Sequence, residues 1–364
     1  MNTEELFLKL LSYESITPDD AGSLDFIQNY MSDFDVFRID KEDTKNLLLY
    51  KKFGDGEHLC FAGHVDVVPP GDGWDSDPFD PITKDGYIYA RGSQDMKSGV
   101  CAFLQACKDT KNFNGTLSVI LTSDEEGDAL FGTIEVLKYL KEKDFLPDFS
   151  IVAEPTCEKV FGDTIKIGRR GSINGILEVF GKQGHAAYPE KSINPVNLIA
   201  PILDKLAGHY FDNGDEDFAP SQLVITDIRG GMEVTNVTPS KLKIMFNIRN
   251  STKTKKSDIE RYIDSLFKDL DYKLTLFQGA KPFVTNRDSK IVKLLKYATN
   301  DVVSIEPKLS TSGGTSDARL LAEYGVETVE LGVINDRIHA VNERCKFEEV
   351  ENLKKIFDKV IENF

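Results

Sequence analysis

The two outer parts of the chain alternate short apolar runs with amphipathic segments of helical periodicity. The apolar runs of strand length are residues 58–62, 116–121, 149–153 and 326–333. The helical segments include residues 3–11, 98–108 and 131–141. Strands that alternate with helices are typical of a mostly parallel sheet covered by helices. We therefore predict an α/β domain formed from both ends of the chain.

The middle of the chain has a different pattern, in which half-buried strands alternate apolar and polar residues. The predicted strands are residues 173–181, 222–228, 241–249 and 272–277, and the predicted helices are residues 194–211 and 257–270. The resulting order, βαββαβ, is that of a ferredoxin-like domain, which can fold as a separate unit. We therefore predict a discontinuous domain, residues 1–170 and 283–364, interrupted by an inserted domain, residues 171–282.

Length and composition agree with this organisation and exclude several classes of protein. Chains longer than roughly 250–300 residues usually divide into domains, and this one has 364. A net charge of −16 lacks the basic surface that nucleic-acid binding needs, so we expect no nucleic-acid partner. We also expect no membrane partner and a cytoplasmic location, because no apolar run approaches the roughly 20 residues of a membrane span and no signal peptide is evident. The five cysteines form no CxxC pair, and we predict reduced thiols.

Each predicted strand of the outer domain is followed by a histidine or a carboxylate. These residues are His64 and Asp66 after the first strand, Glu125 and Glu126 after the second, Glu154 after the third and His339 after the fourth, with Asp95 just before a helix. In open α/β sheets, ligands bind beyond the carboxyl ends of the strands. We therefore expect these side chains to converge in one crevice.

The types of side chain in this set indicate a metal centre. Two imidazoles and several carboxylates without a thiolate suit zinc, with manganese or cobalt able to replace it. The groups are too many for one ion, but they fit two ions if one carboxylate bridges, as in many hydrolases. Asp66 could accept the second ring N–H of His64. One member of the Glu125–Glu126 pair would then be a ligand, and the other would act as a general base.

Eight segments of the chain resemble, in order, the motifs of the co-catalytic zinc deacylase and exopeptidase family. The segments are GHVDVVPPGDGW, ARGSQDMKSG, TSDEEG, VAEPT, GRRGS, GKQGHAAYP, TSGGTSDARL and NDRIHAVNE. The resemblance implies that Glu125 is the general base and that a cis peptide bond follows Asp95. The ligands that it implies for two zinc ions are Asp95 between the ions, His64 and Glu154 on one ion, and Glu126 and His339 on the other.

The histidine of GKQGHAAYP, His185, lies in the predicted inserted domain. In the family that the chain resembles, this histidine reaches the active site of the partner subunit and stabilises an oxyanion. The resemblance therefore implies a homodimer, with the inserted domain as the dimerisation domain and His185 acting across the subunit interface. Without the resemblance, a single histidine before a helix is more often structural.

The resemblance also implies a set of substrate-binding residues. Arginine suits a substrate that carries carboxylates, because its planar guanidinium pairs with them through two hydrogen bonds. Taken alone, GRRGS would be a hinge between domains and SGGTS a flexible turn. The form of GRRGS, TSGGTSDARL and NDRIHAVNE is most similar to family members that release succinate from N-succinyl-LL-2,6-diaminopimelate, a small-molecule substrate. The implied binding residues are Arg169, Ser172, Asn236, Arg249, Gly314, Thr315 and Asn335.

Several alternative functions have to be weighed against this one. The nearest are another N-acyl amino-acid deacylase, such as acetylornithine deacetylase, and a dipeptidase with the same fold. A two-metal phosphoesterase would need a phosphate clamp, and the chain has no P-loop. A metal-binding protein without activity would be free to lose Glu125 or a ligand, and the chain has them all. The serine-rich segments lack the base and orienting group of a nucleophilic serine, which favours amide hydrolysis without a covalent intermediate.

Overall fold

The computed structural model describes all residues from Met1 to Phe364, in ten α-helices, one short 3-10 helix and nineteen strands. The α-helices are α1 (Thr3–Leu11), α2 (Ser23–Tyr30), α3 (Lys97–Asp109), α4 (Thr133–Glu142), α5 (Pro195–Ile199), α6 (Leu203–Leu206), α7 (Lys256–Phe267), α8 (Lys290–Val303), α9 (Ala318–Glu323) and α10 (Phe347–Asn363), and the 3-10 helix is Pro189–Lys191. The strands are β1 (Asp35–Arg38), β2 (Asn46–Lys52), β3 (His58–His64), β4 (Ile82–Lys84), β5 (Tyr87–Tyr89), β6 (Thr116–Thr122), β7 (Phe149–Val152), β8 (Thr164–Lys166), β9 (Gly168–Arg169), β10 (Ser172–Phe180), β11 (Gly184–His185), β12 (Leu223–Gly230), β13 (Val237–Thr238), β14 (Lys241–Ile248), β15 (Tyr272–Ala280), β16 (Phe283–Val284), β17 (Lys308–Ser310), β18 (Glu327–Glu330) and β19 (Arg344–Lys346). None of the helices combines the length and apolar character needed to cross a lipid bilayer.

The chain divides into two compact units. Unit 1 consists of Met1–Gly168, Thr285–Ser310 and Ser316–Phe364, and unit 2 consists of Arg169–Val284 and Thr311–Thr315. The breaks after Gly168 and Val284 lie close to the boundaries predicted from the sequence. The short segment Thr311–Thr315 was predicted to belong to the outer domain, but its contacts place it in unit 2, where the Thr311 hydroxyl donates to the main-chain oxygen of Asp217.

Unit 1 contains an eight-stranded sheet with the strand order β1-β2-β6-β3-β7-β18-β8-β17. Its four central strands, β6, β3, β7 and β18, run parallel, as the pattern of apolar runs predicted. Every residue of β3 and β6 is buried, as expected for parallel strands covered on both faces. Because these strands are parallel and in register, with His64 opposite Thr122, the residues that follow them emerge at one edge of the sheet.

Unit 2 contains a four-stranded antiparallel sheet with the order β12-β14-β10-β15. The first strand of the unit, β10, lies between β14 and β15, as a split βαβ arrangement requires. Helix α7 places Ile259, Ile263 and Phe267 at intervals of four residues, and all three are buried in the core of this unit. Each such side chain stabilises the folded state by about 1.5–3 kcal/mol when it is fully buried.

The helix predicted for residues 194–211 is wrong in its extent. The structure has two short helices there, α5, which ends at Ile199, and α6, which begins at Leu203. Pro201 lies between them, and it has no N–H with which a continuous helix could bond at this position. Ala200, before the proline, still has helical angles, so the interruption is confined to a few residues. Pro195 opens α5, and the Asn194 side chain accepts the N–H of Val196 as an N-cap.

Candidate metal centre

The ends of the parallel strands position the predicted metal ligands in unit 1. His64 is the last residue of β3, the Glu125–Glu126 pair follows β6, and Glu154 follows β7. Asp95 lies just before α3, and a cis peptide bond joins it to Met96, as the sequence resemblance implied. The structure brings the five predicted ligands, His64, Asp95, Glu126, Glu154 and His339, into one cluster.

The two carboxylate oxygens of Asp95 lie next to different histidines. Oδ1 of Asp95 is 3.3 Å from Nε2 of His64, and Oδ2 is 3.3 Å from Nε2 of His339. Nε2 of His339 is also 3.0 Å from Oε1 of Glu126, and Nε2 of His64 is 3.8 Å from Oε1 of Glu154. A carboxylate placed between two imidazoles in this way has the arrangement that a bridging metal ligand needs.

Two atoms at the centre of the cluster, Nε2 of His64 and Oδ1 of Asp95, are buried and have no hydrogen-bond partner. Buried polar atoms rarely lack a partner, so the pair needs an explanation. Around a tetrahedral zinc ion, with ligand distances of about 2.0–2.2 Å, neighbouring donor atoms are about 3.4 Å apart, which matches their spacing. Donor atoms of His64, Glu125 and Glu154, and of His64, Asp95 and Glu126, also lie within 4.8 Å of one another. These residues therefore fit a metal site.

The charges in the cluster are crowded. Burial raises the pKa of Glu125 well above its usual range, and the neighbouring carboxylates of Asp317, Glu126 and Asp95 contribute in the same direction, against the effect of His64. Burial likewise raises the pKa of Glu154, with Asp95 adding to the effect. Burial alone would lower the pKa of His64, but the adjacent Asp95 carboxylate and the other carboxylates around the ring raise it well above its usual range. A bound cation would relieve this repulsion among buried carboxylates.

Asp66 contacts the second ring nitrogen of His64 mainly through its main-chain oxygen. Nδ1 of His64 lies 2.9 Å from the main-chain oxygen of Asp66 and 3.5 Å from its Oδ1. The Asp66 carboxylate instead accepts the main-chain N–H groups of Glu125, at 3.4 Å, and Glu126, at 3.1 Å. Because these two N–H groups face the carboxylate from the next strand end, Asp66 links His64 to the glutamate pair.

Two buried charged residues beside the cluster, Arg91 and Glu343, were not among the predicted site residues. They form an ion pair, and Glu343 accepts the main-chain N–H of Asp95 at 3.2 Å. Both lie in segments that carry the resemblance, ARGSQDMKSG and NDRIHAVNE. The only signal in the sequence was a charged residue near each predicted ligand, and such residues are more often exposed.

Most of the predicted substrate-binding residues lie in unit 2. Nη1 of Arg169 donates to the main-chain oxygen of Ser312 at 3.3 Å, and a Cβ on Gly313 would meet the same nitrogen at 2.6 Å. Gly313 has a φ of 108°, a conformation that favours glycine, and it lies against the end of the Arg169 side chain. The segment 312–315, which includes Gly314 and Thr315, therefore lies against the guanidinium of Arg169.

The remaining predicted residues are placed as follows. The hydroxyl of Ser172 accepts a hydrogen bond from Asn247 at 2.9 Å, and Asn236 and Arg249 are exposed. Asn335 lies in unit 1, where its main-chain N–H donates to the main-chain oxygen of Cys157 at 3.0 Å. His185 lies in unit 2 and is exposed, and its Nδ1 accepts the N–H of Ala187 at 3.0 Å, which leaves Nε2 as the protonated nitrogen of the neutral ring.

A cluster of imidazoles and carboxylates at the carboxyl edge of a parallel sheet is the arrangement expected of a metal-dependent hydrolase. The chain belongs to peptidase family M20/M25/M40, whose sequence model matches residues 60–363. It is 62% identical over 364 residues to a protein from a Nitratiruptor species named succinyl-diaminopimelate desuccinylase, covering 100% of both chains. It is 61% identical, with the same coverage, to a protein of that name from Sulfurimonas denitrificans.

Solved structures share the fold at lower sequence identity. The aminopeptidase PepT from Bacillus cereus superimposes with a TM-score of 0.82 and 23% identity, covering 100% of this chain and 98% of that one. At this identity the likeness establishes the common architecture and leaves the substrate to be argued from the residues.

Proposed function

We propose that this chain is a metal-dependent amidohydrolase that releases succinate and LL-2,6-diaminopimelate from N-succinyl-LL-2,6-diaminopimelate. The observation that carries the proposal is the buried cluster around Asp95, in a chain 62% identical over its full length to a succinyl-diaminopimelate desuccinylase. Relatives of that name favour this reaction over the deacylation of acetylornithine or the hydrolysis of dipeptides. A cytoplasmic location is the corresponding expectation.

The proposed cofactor is a pair of zinc ions, which cobalt or manganese could replace. Asp95 would lie between the ions, with His64 and Glu154 on one and Glu126 and His339 on the other. When bound, such ions polarise a carbonyl oxygen and favour the ionisation of a water molecule. The absence of a thiolate from the donor set supports a metal that accepts nitrogen and oxygen ligands.

In this proposal the two adjacent glutamates have different tasks. Oε1 of Glu126 is 3.0 Å from Nε2 of His339, the shortest distance among the proposed ligands. Oε2 of Glu125 is 4.0 Å from Nε2 of His64, farther than any proposed ligand atom from its nearest histidine. This difference supports Glu126 as the ligand and Glu125 as the general base. Glu125 would take a proton from the attacking water and return it to the leaving amine.

Asp66 would hold both the proposed ligand His64 and the Glu125–Glu126 pair in position. Its main-chain oxygen accepts Nδ1–H of His64, which fixes the tautomer with Nε2 free for a metal ion. Its carboxylate holds the main chain at Glu125 and Glu126. Asp66 is therefore proposed to act by positioning these three side chains rather than by touching the substrate.

Two arginines, a histidine and several hydrogen-bonding residues are proposed to bind the substrate. Arg169 and Arg249 would pair with its carboxylates, because a guanidinium forms two parallel hydrogen bonds to such a group. The N–H of His185 at Nε2 would donate to the oxyanion in the active site of a partner subunit, which requires a homodimer. The proposed hydrogen-bonding residues around the substrate are Ser172, Asn236, Gly314, Thr315 and Asn335.

The first experiment is to measure succinate release from N-succinyl-LL-2,6-diaminopimelate by the metal-depleted protein during a zinc titration. We expect zinc-dependent turnover that Glu125→Gln abolishes while zinc binding, measured by calorimetry, persists. Glu135→Gln on α4, where the side chain forms ion pairs with Lys41 and Lys138, is the matched control and should keep full activity. Zinc binding without succinate release in the wild type would retain the metal centre and reject the substrate. N-acetylornithine and dipeptides would then be tested.

A further inference from the structure

A fully buried ion pair lies beside the proposed metal centre in unit 1. Nη1 of Arg91 is 2.7 Å from Oε2 of Glu343, and the two residues are 1% and 0% exposed. Removing two charges from water is costly, and buried ion pairs are often no more stabilising than apolar residues of the same volume. Stability alone therefore does not explain the pair, and its contacts indicate a second role.

The Glu343 carboxylate holds the main chain that leads to Asp95. Its Oε1 accepts the N–H groups of Gln94, at 2.7 Å, and Asp95, at 3.2 Å, and its Oε2 accepts the N–H of Gly92 at 3.0 Å. Three hydrogen bonds to one carboxylate fix the path of this segment. The position of Asp95 therefore depends on Glu343.

The Arg91 guanidinium holds the segment that carries His339. Its Nη2 donates to the main-chain oxygens of His339, at 3.3 Å, and Pro70, at 3.2 Å, and its Nη1 donates to that of Ala340 at 3.3 Å. His339 has a φ of 60°, in the left-handed region that residues other than glycine rarely adopt. The guanidinium thus stabilises the main chain of a proposed ligand in an unfavourable conformation.

Two further contacts join the same two segments. The Gln94 side chain donates to Oδ1 of Asp336 at 2.6 Å and accepts the N–H of Arg337 at 2.9 Å. Strands β5 and β19, which flank Arg91 and Glu343, pair in an antiparallel manner, with Tyr89 opposite Arg344. The segment 91–95 and the segment 336–343, distant in sequence, therefore form one hydrogen-bonded assembly.

We propose that Arg91 and Glu343 form a positioning pair that sets the separation of Asp95 and His339 before any metal ion binds. Oδ2 of Asp95 and Nε2 of His339 lie 3.3 Å apart in the assembly that the pair holds. The pair thereby determines the affinity of the site that shares Asp95, Glu126 and His339, without touching the ion. This inference rests on the metal centre of the proposed function.

The first test uses the metal-free wild-type protein and hydrogen exchange, measured by mass spectrometry on peptides covering residues 91–96. If the pair organises the segment, the amide hydrogens of Gly92, Gln94 and Asp95 exchange slowly without metal, and zinc slows them little further. The opposite result would be that these amide hydrogens exchange as fast as those of the exposed residues 71–73 and become slow only when zinc is added. That result would overturn the proposal, because the ion would then organise the segment.

The second test measures zinc binding by calorimetry in folded variants. Glu343→Gln loses part of the acceptor set, and we expect the affinity of the site containing His339 to fall by about ten- to hundredfold. The double variant Arg91→Met with Glu343→Leu removes both buried charges at similar volume, so the fold should survive, while the acceptors for residues 92–95 are lost. We expect the same weakening. If the pair had only a structural role, replacing it with these apolar residues would leave the zinc affinity unchanged.

His58→Gln is the matched control, because His58 is buried in unit 1 and bonded to Ser118 but lies at the opposite end of β3 from His64. It should lower stability and leave zinc affinity unchanged. If folded Glu343→Gln or the folded double variant binds zinc at both sites as tightly as the wild type does, the proposal is rejected. If the wild-type protein binds no zinc, the metal centre itself is rejected. In that case, or if no variant folds, the exchange experiment decides the role of the pair.

Discussion

Nε2 of His64 and Oδ1 of Asp95 lie 3.3 Å apart, and both atoms are buried without a hydrogen-bond partner. The spacing is that of two donor atoms on one ion, and a cation between the carboxylates would remove the repulsion among them. The folded protein should therefore bind zinc far better than the unfolded chain does, and zinc should stabilise the fold.

Zinc removal should lower the stability of the protein. With free zinc at 100 times the dissociation constant, each site contributes about 2.7 kcal/mol to the free energy of unfolding. We expect a chelator to lower the melting temperature of the wild type, measured by calorimetry, and Asp95→Asn to abolish most of the zinc-dependent increase. Asp109→Asn, on α3 but paired with Lys354, is the control and should respond to zinc as the wild type does. An unchanged zinc response in Asp95→Asn would contradict the role of Asp95.

Asp66→Asn should separate the two functions of this residue. The main-chain oxygen that accepts from His64 remains, whereas the carboxylate that accepts from Glu125 and Glu126 is replaced by a weaker acceptor. We therefore expect kcat for succinate release to fall by about tenfold or more, with zinc affinity changed less than kcat. Loss of zinc affinity with little effect on kcat would indicate that the carboxylate orients His64 instead.

His58 should make stability depend on pH between about 4 and 6.5. Burial lowers the pKa of His58 to about 4, although Asp148 opposes the shift, and the ring lies 2.7 Å from the Ser118 hydroxyl. Below the pKa of an unfolded histidine, near 6.5, the unfolded chain binds a proton that the folded protein does not, so stability falls as pH decreases. The loss approaches about 3 kcal/mol near pH 4. His58→Gln should remove this part of the pH dependence in urea unfolding, and an unchanged slope would show that His58 is not its source.

Asp212 should stabilise unit 2 while it is ionised. Burial opposes ionisation, but hydrogen bonds from Ser221, Thr254 and Ser251 and the N–H of Gly214 hold the pKa of this carboxyl well below its usual range. Its contribution is therefore complete above the unfolded pKa, about 3.9, and is lost as pH falls toward the folded pKa.

Asp212→Asn should accordingly destabilise the protein by about 1–3 kcal/mol at pH 7, and by less at pH 3. Urea unfolding monitored by circular dichroism at the two pH values measures this difference. Asp204→Asn, an exposed position on α6, should change stability little at either pH. An equal loss of stability at both pH values would mean that the charge of Asp212 is not what stabilises the loop.

Much of the fold was predictable because it depends on local patterns. The apolar runs at residues 58–62 and 116–121 became β3 and β6, and the amphipathic segment 3–11 became α1. A continuous apolar run indicates a strand buried on both faces, and a period-3.6 pattern indicates the buried face of a helix, so both can be interpreted without knowledge of the partner. The helix at residues 194–211 was wrong because Pro201 overrode an amphipathic pattern.

The sequence by itself determined which donor groups are present and that they follow strand ends, and parallel strands bring such ends together. Only the tertiary structure decided which atoms meet. The main-chain oxygen of Asp66, rather than its carboxylate, faces His64, and Arg91 pairs with a glutamate 252 residues away. Such contacts depend on the register of strands and on pairing between distant segments such as β5 and β19, and no local pattern encodes them. A charged residue therefore gives no sign in the sequence that it will be buried beside its partner.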